Sequence, residues 1–184
     1  MAFHISCDVD GILSAFTKGV IDWTDVNVPE RGFTQDSIID FDIFAGWGRA
    51  DLWPAFNASV AKPGWCLGLT VLPGAREFFD KLSELGEVSV VTSPYKNCPF
   101  WEEERNEWLR VNFDIQPHKV FHLSDKSNFP ADVLIDDATH NVESFHGKTI
   151  LLDAPYNQGC TTGIRCYSYD EILEAVKEMA CLKN

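Results

Sequence analysis

The chain has 184 residues, of which 45% are hydrophobic and 12% aromatic, so it is long and apolar enough to form a buried core. Its 28 acidic and 15 basic residues give a formal net charge of −13, which argues against a nucleic acid polymer as partner. The chain contains no membrane-length apolar stretch and no recognisable signal peptide, so we expect a cytoplasmic protein without a membrane partner.

The six cysteines are scattered along the chain and form no C-x-x-C pair. We predict that they are small buried residues rather than a disulfide framework. His140, His146, Cys160 and Cys166 are conceivable zinc ligands, but their spacing fits no compact zinc motif.

The first third of the chain predicts a buried strand followed by a helical insert. The apolar run from Phe3 to Asp8 is typical of a strand, and apolar residues recur at helical spacing from Ile12 to about Trp23. From Asp25 to Gly68 the chain is rich in tryptophan and phenylalanine and is interrupted by glycine and proline. We interpret residues 15–69 as a small helical domain inserted after the first strand.

The rest of the chain predicts helices that alternate with strands. Helices are predicted from Pro73 to Gly86, from Phe100 to Phe113 and from Ser168 onward, and strands over Val88–Val91, Lys119–Leu123, Asp132–Ile135 and Thr149–Leu152. This alternation indicates right-handed crossovers and a Rossmann-like, mostly parallel sheet flanked by helices, an α/β fold. We assign residues 1–14 and 70–184 to this core domain.

Polar side chains follow four of the predicted strands. They are Asp8 and Asp10, Thr92 and Ser93, Lys126, and finally Asp136 and Asp137. Each has an ordinary explanation, because an aspartate after a strand is often a turn or cap residue. In a parallel sheet, however, these strand ends lie at one edge, where ligands bind in open α/β sheets. Their joint occurrence therefore predicts a functional site.

The same residues resemble the motifs of the haloacid dehalogenase-like (HAD) superfamily of phosphohydrolases. Those motifs are an Asp-x-Asp-Gly pair, a Ser or Thr, a Lys and an acidic pair, in that order. Runs that begin at Asp8, Leu72, Val90 and Ser124 further resemble the 5'(3')-deoxyribonucleotidase family. The likeness covers most of residues 3–137 and is weakest in the aromatic insert. It implies a HAD-like core with the insert as a substrate-selecting cap.

This resemblance implies a Mg²⁺-dependent phosphatase that hydrolyses nucleoside monophosphates, with deoxyribonucleotides as the expected substrates. Asp8 would attack phosphorus to form a phospho-aspartate, and Asp10 would protonate the leaving group and then activate water. Asp8, the backbone carbonyl of Asp10 and Asp136 would bind the metal. Asp137 would either bind it directly or orient a metal-bound water.

The resemblance also implies roles for the remaining polar residues. Lys126 would hold the phosphoryl oxygens, and Thr92, with Ser93 beside it, would donate a hydroxyl to the transferring group. Lys119 and Lys96 are competing cations. Lys126 is preferred because it precedes the second acidic pair by the interval that the family has, and Lys96 would then contact phosphate or sugar.

Aromatic residues of the insert predict the nucleoside side of the site. Phe16 matches an aromatic residue that the family places near the base, and Trp65 lies near another. Phe44 and Trp47 are stacking candidates by residue type and region. Each of these four could equally belong to the hydrophobic core of the insert. Ser124 stands where the family has an arginine, so base preference does not transfer.

Two alternative hypotheses use the same residues. A phosphatase for another small phosphomonoester, such as a sugar phosphate, would need the same acidic residues and lysine. A phospho-accepting receiver module also combines aspartates, a threonine and a lysine. Its phosphorylated aspartate lies mid-chain, however, and it has no reason to contain an aromatic insert. The expected partner is a small nucleoside monophosphate, and an apolar patch could also join two copies into a homodimer.

Overall fold

A six-stranded parallel sheet forms the centre of the computed structural model, which describes residues 3–183. The strands are β1 His4–Cys7, β2 Glu87–Thr92, β3 Val120–His122, β4 Val133–Asp136, β5 Lys148–Leu152 and β6 Ile164–Cys166. Their order is β3-β2-β1-β4-β5-β6, and each neighbouring pair is parallel. The order in which strands are added to the sheet therefore reverses between β1 and β4. In open α/β sheets, ligands bind at such a switch point.

Seven α-helices accompany the sheet in the described part of the chain. They are α1 Phe16–Asn27, α2 Ile43–Gly46, α3 Trp53–Val60, α4 Ala75–Leu85, α5 Trp101–Phe113, α6 Thr139–Ser144 and α7 Tyr169–Lys183. In α4 the buried residues Phe78, Phe79 and Leu82 recur at helical spacing, which directs one face toward the core. Among the residues described, no helix has both the length and the apolar character needed to cross a membrane.

The predicted α/β fold is confirmed, with several local differences. The six-residue helix α6, between β4 and β5, was not predicted. The sequence prediction missed β6, which has only three residues and only one of them buried, so it carries little periodicity. The first helix was predicted to begin at Ile12 but begins at Phe16. Residues before it form tight turns instead, in which the backbone N–H groups of Leu13 and Ser14 both donate to the carbonyl of Val9.

The described residues form two large hydrophobic clusters and a small third one of Val142, Leu151 and Cys160. The larger cluster fills the space between the sheet and helices such as α4 and α7. The second is built by α1 to α3 and includes Phe44 and Phe56, but α5 contributes Trp101 to it. Glu104, also in α5, accepts hydrogen bonds from the backbone N–H groups of Gly64 at 2.5 Å and Cys66 at 3.1 Å. Helix α5 therefore fastens the end of the insert to the sheet domain.

All six cysteines are free, as predicted; five are buried and Cys181 is exposed. In the described part of the chain, the side chains grouped closely enough to hold a metal ion are three aspartates. The conceivable zinc ligands His140, His146, Cys160 and Cys166 form no such group there.

Candidate active site

The ends of β1 and β4 bring three aspartates together. Cys7 and Ile135 are partners in the two parallel strands, so the residues that follow them, Asp8 and Asp136, are neighbours. One carboxylate oxygen from each of Asp8, Asp136 and Asp137 lies within 4.8 Å of the others, and all three residues are buried. Three buried carboxylates at such distances repel one another strongly, and either a bound proton or a cation relieves that repulsion.

Lys126 supplies one positive charge to this acidic cluster, which we define as Asp8, Asp136 and Asp137. Its Nζ lies 2.6 Å from Asp8 Oδ1 and 2.8 Å from Asp136 Oδ2, and its side chain is 1% exposed. The competing lysines, Lys96 and Lys119, are both exposed. The structure thus brings Lys126, in the loop after β3, to the carboxylates.

The charges of the acidic cluster are strongly coupled. Burial raises the pKa of Asp8 to about 7, and nearby Asp136 adds to this effect while Lys126 opposes it. Burial also raises the pKa of Asp137 well above its usual range, again with a contribution from Asp136. Burial alone would lower the pKa of Lys126, but the carboxylates of Asp136 and Asp8 outweigh it and raise this pKa. One lysine therefore leaves the carboxylates undercompensated, and a hard divalent cation fits their oxygen donors.

Asp136 accepts three hydrogen bonds. Its Oδ1 accepts a hydrogen bond from the backbone N–H of Ala138 at 2.8 Å, and its Oδ2 accepts one from Asn141 Nδ2 at 3.0 Å in addition to Lys126. Asn141 belongs to α6, which directly follows the acidic pair. The position of this carboxylate is therefore fixed by its own downstream helix.

Asp137 lies against Gly11 and two residues that follow β5. Gly11 has φ +83°, and a Cβ there would lie 1.9 Å from Asp137 Oδ2, so only glycine permits this approach. The hydroxyl of Tyr156 donates to Asp137 Oδ2, and Asn157 Nδ2 donates to the Asp137 carbonyl at 2.8 Å. Burial, and then the Asp137 carboxylate, raise the pKa of Tyr156 far above its usual range, so the phenol keeps its proton.

Asp10 stands apart from the acidic cluster. Its two carboxylate oxygens accept hydrogen bonds from Arg105 Nη2 at 2.7 and 2.9 Å. Arg105 is fully buried, and its guanidinium lies 4.8 Å from the ring centre of Trp101 and 5.5 Å from that of Trp108. Sequence analysis missed this arginine. The available signal was its position four residues after Trp101 and three before Trp108, on the apolar face of α5.

Thr92 and Ser93 differ in their surroundings. Thr92 ends β2 and is fully buried, and among the described residues its hydroxyl has no hydrogen-bond partner. Ser93 is exposed at the cavity wall, and its Oγ donates to the carbonyl of Leu123 at 3.3 Å. The hydroxyls of Ser6 and Ser14 also have no partner among the described residues. Thr92 is not among the residues that line the cavity, so its buried hydroxyl alone assigns it no ligand.

A cavity of about 270 Å³ opens above these polar residues. Asp8, Asp10, Lys126 and Asp137 form part of its lining. Its aromatic lining residues come from both parts of the chain: Phe16, Phe41, Trp53, Tyr95, Trp101 and Tyr156. The site therefore joins a charged, oxygen-rich region with a wall suited to a flat aromatic ligand.

The aromatic residues proposed from sequence divide between this cavity and the interior of the insert. Phe16 lines the cavity. Phe44 is fully buried and packs edge-on against Trp53. Trp47 stacks on Phe33 with ring centres 4.0 Å apart, and Trp65 stacks on Trp101 at 5.9 Å. The structure does not bring these three, or Lys96, to the cavity lining.

The parallel sheet and its strand-end residues define a haloacid dehalogenase-like protein. The fold is similar to a HAD family hydrolase from Deinococcus radiodurans R1, solved with bound phosphate and sodium, with TM-score 0.63 and 13% identity over 96% of this chain and 95% of that one. It is also similar to L-2-haloacid dehalogenase from Xanthobacter autotrophicus, with TM-score 0.58 and 15% identity over 97% of this chain and 100% of that one. At these identities the likeness concerns the fold.

Within that class, the chain belongs to the family described as 5' nucleotidase, deoxy (pyrimidine), cytosolic type C protein, whose model matches residues 3–180. It is 38% identical over 105 residues to a 5'(3')-deoxyribonucleotidase of Bacillus subtilis (strain 168), a match to 56% of this chain. The chain spans 60% of the length of that relative. A 5'(3')-deoxyribonucleotidase of Clostridium acetobutylicum is 27% identical over 65% of this chain and 67% of its own length. The resemblance seen in the sequence motifs is thereby confirmed.

Proposed function

We propose that this protein is a Mg²⁺-dependent phosphatase of deoxyribonucleoside monophosphates. The observation that carries the proposal is a buried cluster of three carboxylates and one lysine beneath a cavity with aromatic walls. Membership of a nucleotidase family, with relatives named as 5'(3')-deoxyribonucleotidases, supports the class of substrate. The proposed partner is therefore a small nucleotide.

The proposed division of labour follows the two parts of the chain. Residues 1–14 and 70–184 form the catalytic core, and residues 15–69 act as a small cap. In support, the acidic cluster and Lys126 come from the core, whereas Phe16, Phe41 and Trp53 reach the cavity from the insert. Base–aromatic stacking contributes roughly 1–3 kcal/mol, enough to favour a nucleotide over a bare sugar phosphate.

The acidic cluster fits a divalent metal ion by its chemistry. Carboxylate oxygens are the donors that Mg²⁺ prefers, and Asp8, Asp136 and Asp137 offer one each, to which the backbone carbonyl of Asp10 would be added. When bound, Mg²⁺ supplies positive charge that offsets the repulsion between these carboxylates and a phosphate dianion.

In the first step we propose, a carboxylate oxygen of Asp8 attacks phosphorus and the bond from phosphorus to the nucleoside oxygen breaks. Asp8 Oδ1 is engaged by Lys126 at 2.6 Å, so Oδ2 is the oxygen available as nucleophile. Asp10 gives a proton to the departing oxygen. Thr92, whose hydroxyl has no partner among the described residues, donates to an oxygen of the transferring group.

The second step hydrolyses the phospho-aspartate. Asp10, now deprotonated, accepts a proton from water, the water oxygen attacks phosphorus, and the bond between phosphorus and Asp8 breaks to release phosphate. Lys126 holds Asp8 through both steps. The same carboxylate of Asp10 thus serves as acid and then as base, which makes its fixed contact with Arg105 important.

A panel of substrates tests the proposed activity. Deoxynucleoside 5'- and 3'-monophosphates, the matching ribonucleotides and sugar phosphates are assayed for phosphate release with Mg²⁺ and with EDTA. We expect kcat/KM for deoxynucleotides to exceed that for sugar phosphates at least about tenfold, given one stacked base, and EDTA to abolish turnover. If only sugar phosphates are hydrolysed, the protein is not a nucleotidase, but the hypothesis of a phosphatase remains.

Replacement of Arg105 tests the role of Asp10. Arg105→Met removes the partner that holds both oxygens of Asp10, so we expect kcat for a deoxynucleotide to fall roughly 10²-fold with little change in KM. Arg105→Lys keeps a positive charge on an unbranched side chain and should recover part of the loss. Steady-state kinetics and thermal unfolding measure both effects.

Arg110→Met is the matched control for this experiment. Arg110 lies on the same helix but is half exposed and pairs with Glu107 at 2.7 Å. It should keep the kcat of the unaltered protein. If Arg105→Met and Arg110→Met show the same kcat, Arg105 does not position Asp10.

A further inference from the structure

A short turn after β5 contacts the acidic cluster. This turn follows the last sequence motif, which ends at Asp137. Residues Pro155–Asn157 form a single helical turn. The Tyr156 hydroxyl donates to Asp137 Oδ2, and Asn157 Nδ2 donates at 2.8 Å both to the Asp137 carbonyl and to the Leu152 carbonyl. Two consecutive residues therefore hold the side chain and the main chain of one aspartate.

This turn is itself firmly anchored by Arg165 in β6. Arg165 Nη1 lies 2.9 Å from Asn157 Oδ1 and 2.6 Å from Asp153 Oδ1. Its Nη2 donates to the carbonyls of Asn157 at 3.0 Å and Cys160 at 2.8 Å. Asn157 is only 1% exposed. Tyr156 thus projects from a rigid support, and its hydroxyl is held at a fixed place.

The two oxygens of Asp137 have unequal surroundings. Oδ2 receives the Tyr156 hydroxyl and lies so close to Gly11 that a Cβ there would be 1.9 Å away. Oδ1 would be 3.1 Å from that Cβ and is the less crowded oxygen. Oδ2 is engaged by Tyr156, and among the described residues Oδ1 accepts no hydrogen bond, so Oδ1 is the freer oxygen for a cation.

We propose that Tyr156 is a positioning residue that orients Asp137 and thereby sets the affinity of the acidic cluster for a divalent cation. This inference rests on the metal role in the proposed function. Carboxylates that bind metals are oriented by their own hydrogen-bond partners, and loss of such a partner typically weakens metal binding roughly 10- to 100-fold.

Tyr156→Phe isolates the effect of the hydroxyl. Phenylalanine keeps the ring, which lines the cavity and lies 6.3 Å from Phe41, so the aromatic wall is preserved. Tyr169→Phe is the matched control, because its hydroxyl donates to the Ile12 carbonyl at 2.6 Å and its ring stacks on Phe78, away from the acidic cluster. Both variants lose one phenolic hydrogen bond, and only one loses it at Asp137.

Mg²⁺ binding is measured by titration calorimetry on the full chain, in the absence of nucleotide, for the unaltered protein and both variants. We expect the Kd of Tyr156→Phe for Mg²⁺ to rise roughly 10- to 100-fold and that of Tyr169→Phe to stay unchanged. Circular dichroism and thermal unfolding in EDTA check that each variant is folded.

Equal or tighter Mg²⁺ binding by folded Tyr156→Phe would overturn the positioning role while leaving the proposed function intact. An equal loss in Tyr169→Phe would also overturn it, because the effect would then belong to general packing. If the unaltered protein binds no divalent cation, both the metal role in the proposed function and this inference fail.

Discussion

Asp8→Asn is expected to lose phosphatase turnover by roughly 10⁴-fold or more and to unfold at the same temperature or a higher one. An amide oxygen is too weak a nucleophile to form the acyl phosphate. Burial raises the pKa of Asp8 to about 7, so the fold disfavours the charge of this carboxylate and a neutral residue of the same shape relieves it. Steady-state kinetics with a deoxynucleotide and thermal unfolding in EDTA measure the two effects.

The covalent step can be tested with the same variant. Rapid acid quench of a reaction with phosphate-labelled nucleotide should leave label on the unaltered chain and none on Asp8→Asn. Asp22→Asn is the control, because Asp22 is an exposed residue of α1 that pairs with Lys18. It should retain both label and turnover. Full Mg²⁺-dependent activity in Asp8→Asn would remove the proposed mechanism.

Lys126→Met should lose both activity and stability, in contrast to Asp8→Asn. Lys126 is buried and contacts Asp8 and Asp136, so its removal leaves two buried carboxylates without their cation. Breaking a buried ion pair in this way costs about 3–5 kcal/mol of unfolding free energy. Turnover should fall roughly 10²- to 10³-fold, since one donor to the transferring phosphoryl group is lost. Denaturant unfolding in EDTA and steady-state kinetics measure both losses.

Two further variants decide how the Lys126 result is interpreted. Lys119→Met removes an exposed lysine beside β3 and should change neither stability nor turnover appreciably. The double variant Asp8→Asn with Lys126→Met should be less destabilised than Lys126→Met alone, because one unpaired carboxylate is gone. Strict additivity of the two single changes would show that Asp8 and Lys126 are not energetically coupled.

Much of the acidic site could be predicted from the sequence because it depends on strand ends. Parallel strands that are buried on both faces appear as apolar runs, and the residue after each run lies at the same sheet edge. Asp8, Asp136 and Asp137 follow that rule, and Lys126 lies in a loop that leaves the same edge. Their proximity could be predicted from the parallel direction of the strands alone. In the structure, Lys126 contacts Asp8, and the three aspartates lie within 4.8 Å of one another.

Arg105 and Tyr156 could not be found in the same way. Arg105 lies in the middle of the highly charged helix α5, and its spacing from Trp101 and Trp108 indicates the buried face but not which residue it contacts. The partner of Arg105 is identified only by the folded position of Asp10. Tyr156 follows β5 in a short turn, and nothing in the local pattern indicates that this turn folds back toward β4. Both contacts depend on tertiary packing across many residues.

The aromatic wall was difficult to predict for a different reason. The insert consists of short helices and turns, and α2 has only four residues, so no periodicity separates an inward face from an outward one. Phe41 lines the cavity while Phe44, three residues later, is fully buried among other aromatic rings.

The central position of β1 also governs when during synthesis the candidate active site can form. The ion pair between Lys126 and Asp8 joins residues 118 positions apart, and β1 pairs with β4 as well as with β2. Asp8 therefore emerges from the ribosome long before the residues that it needs, and contacts of such separation form late in folding. A nascent chain that ends before Asp136 lacks the acidic pair altogether. If the proposed function holds, unfinished chains are thus unable to turn over a nucleotide.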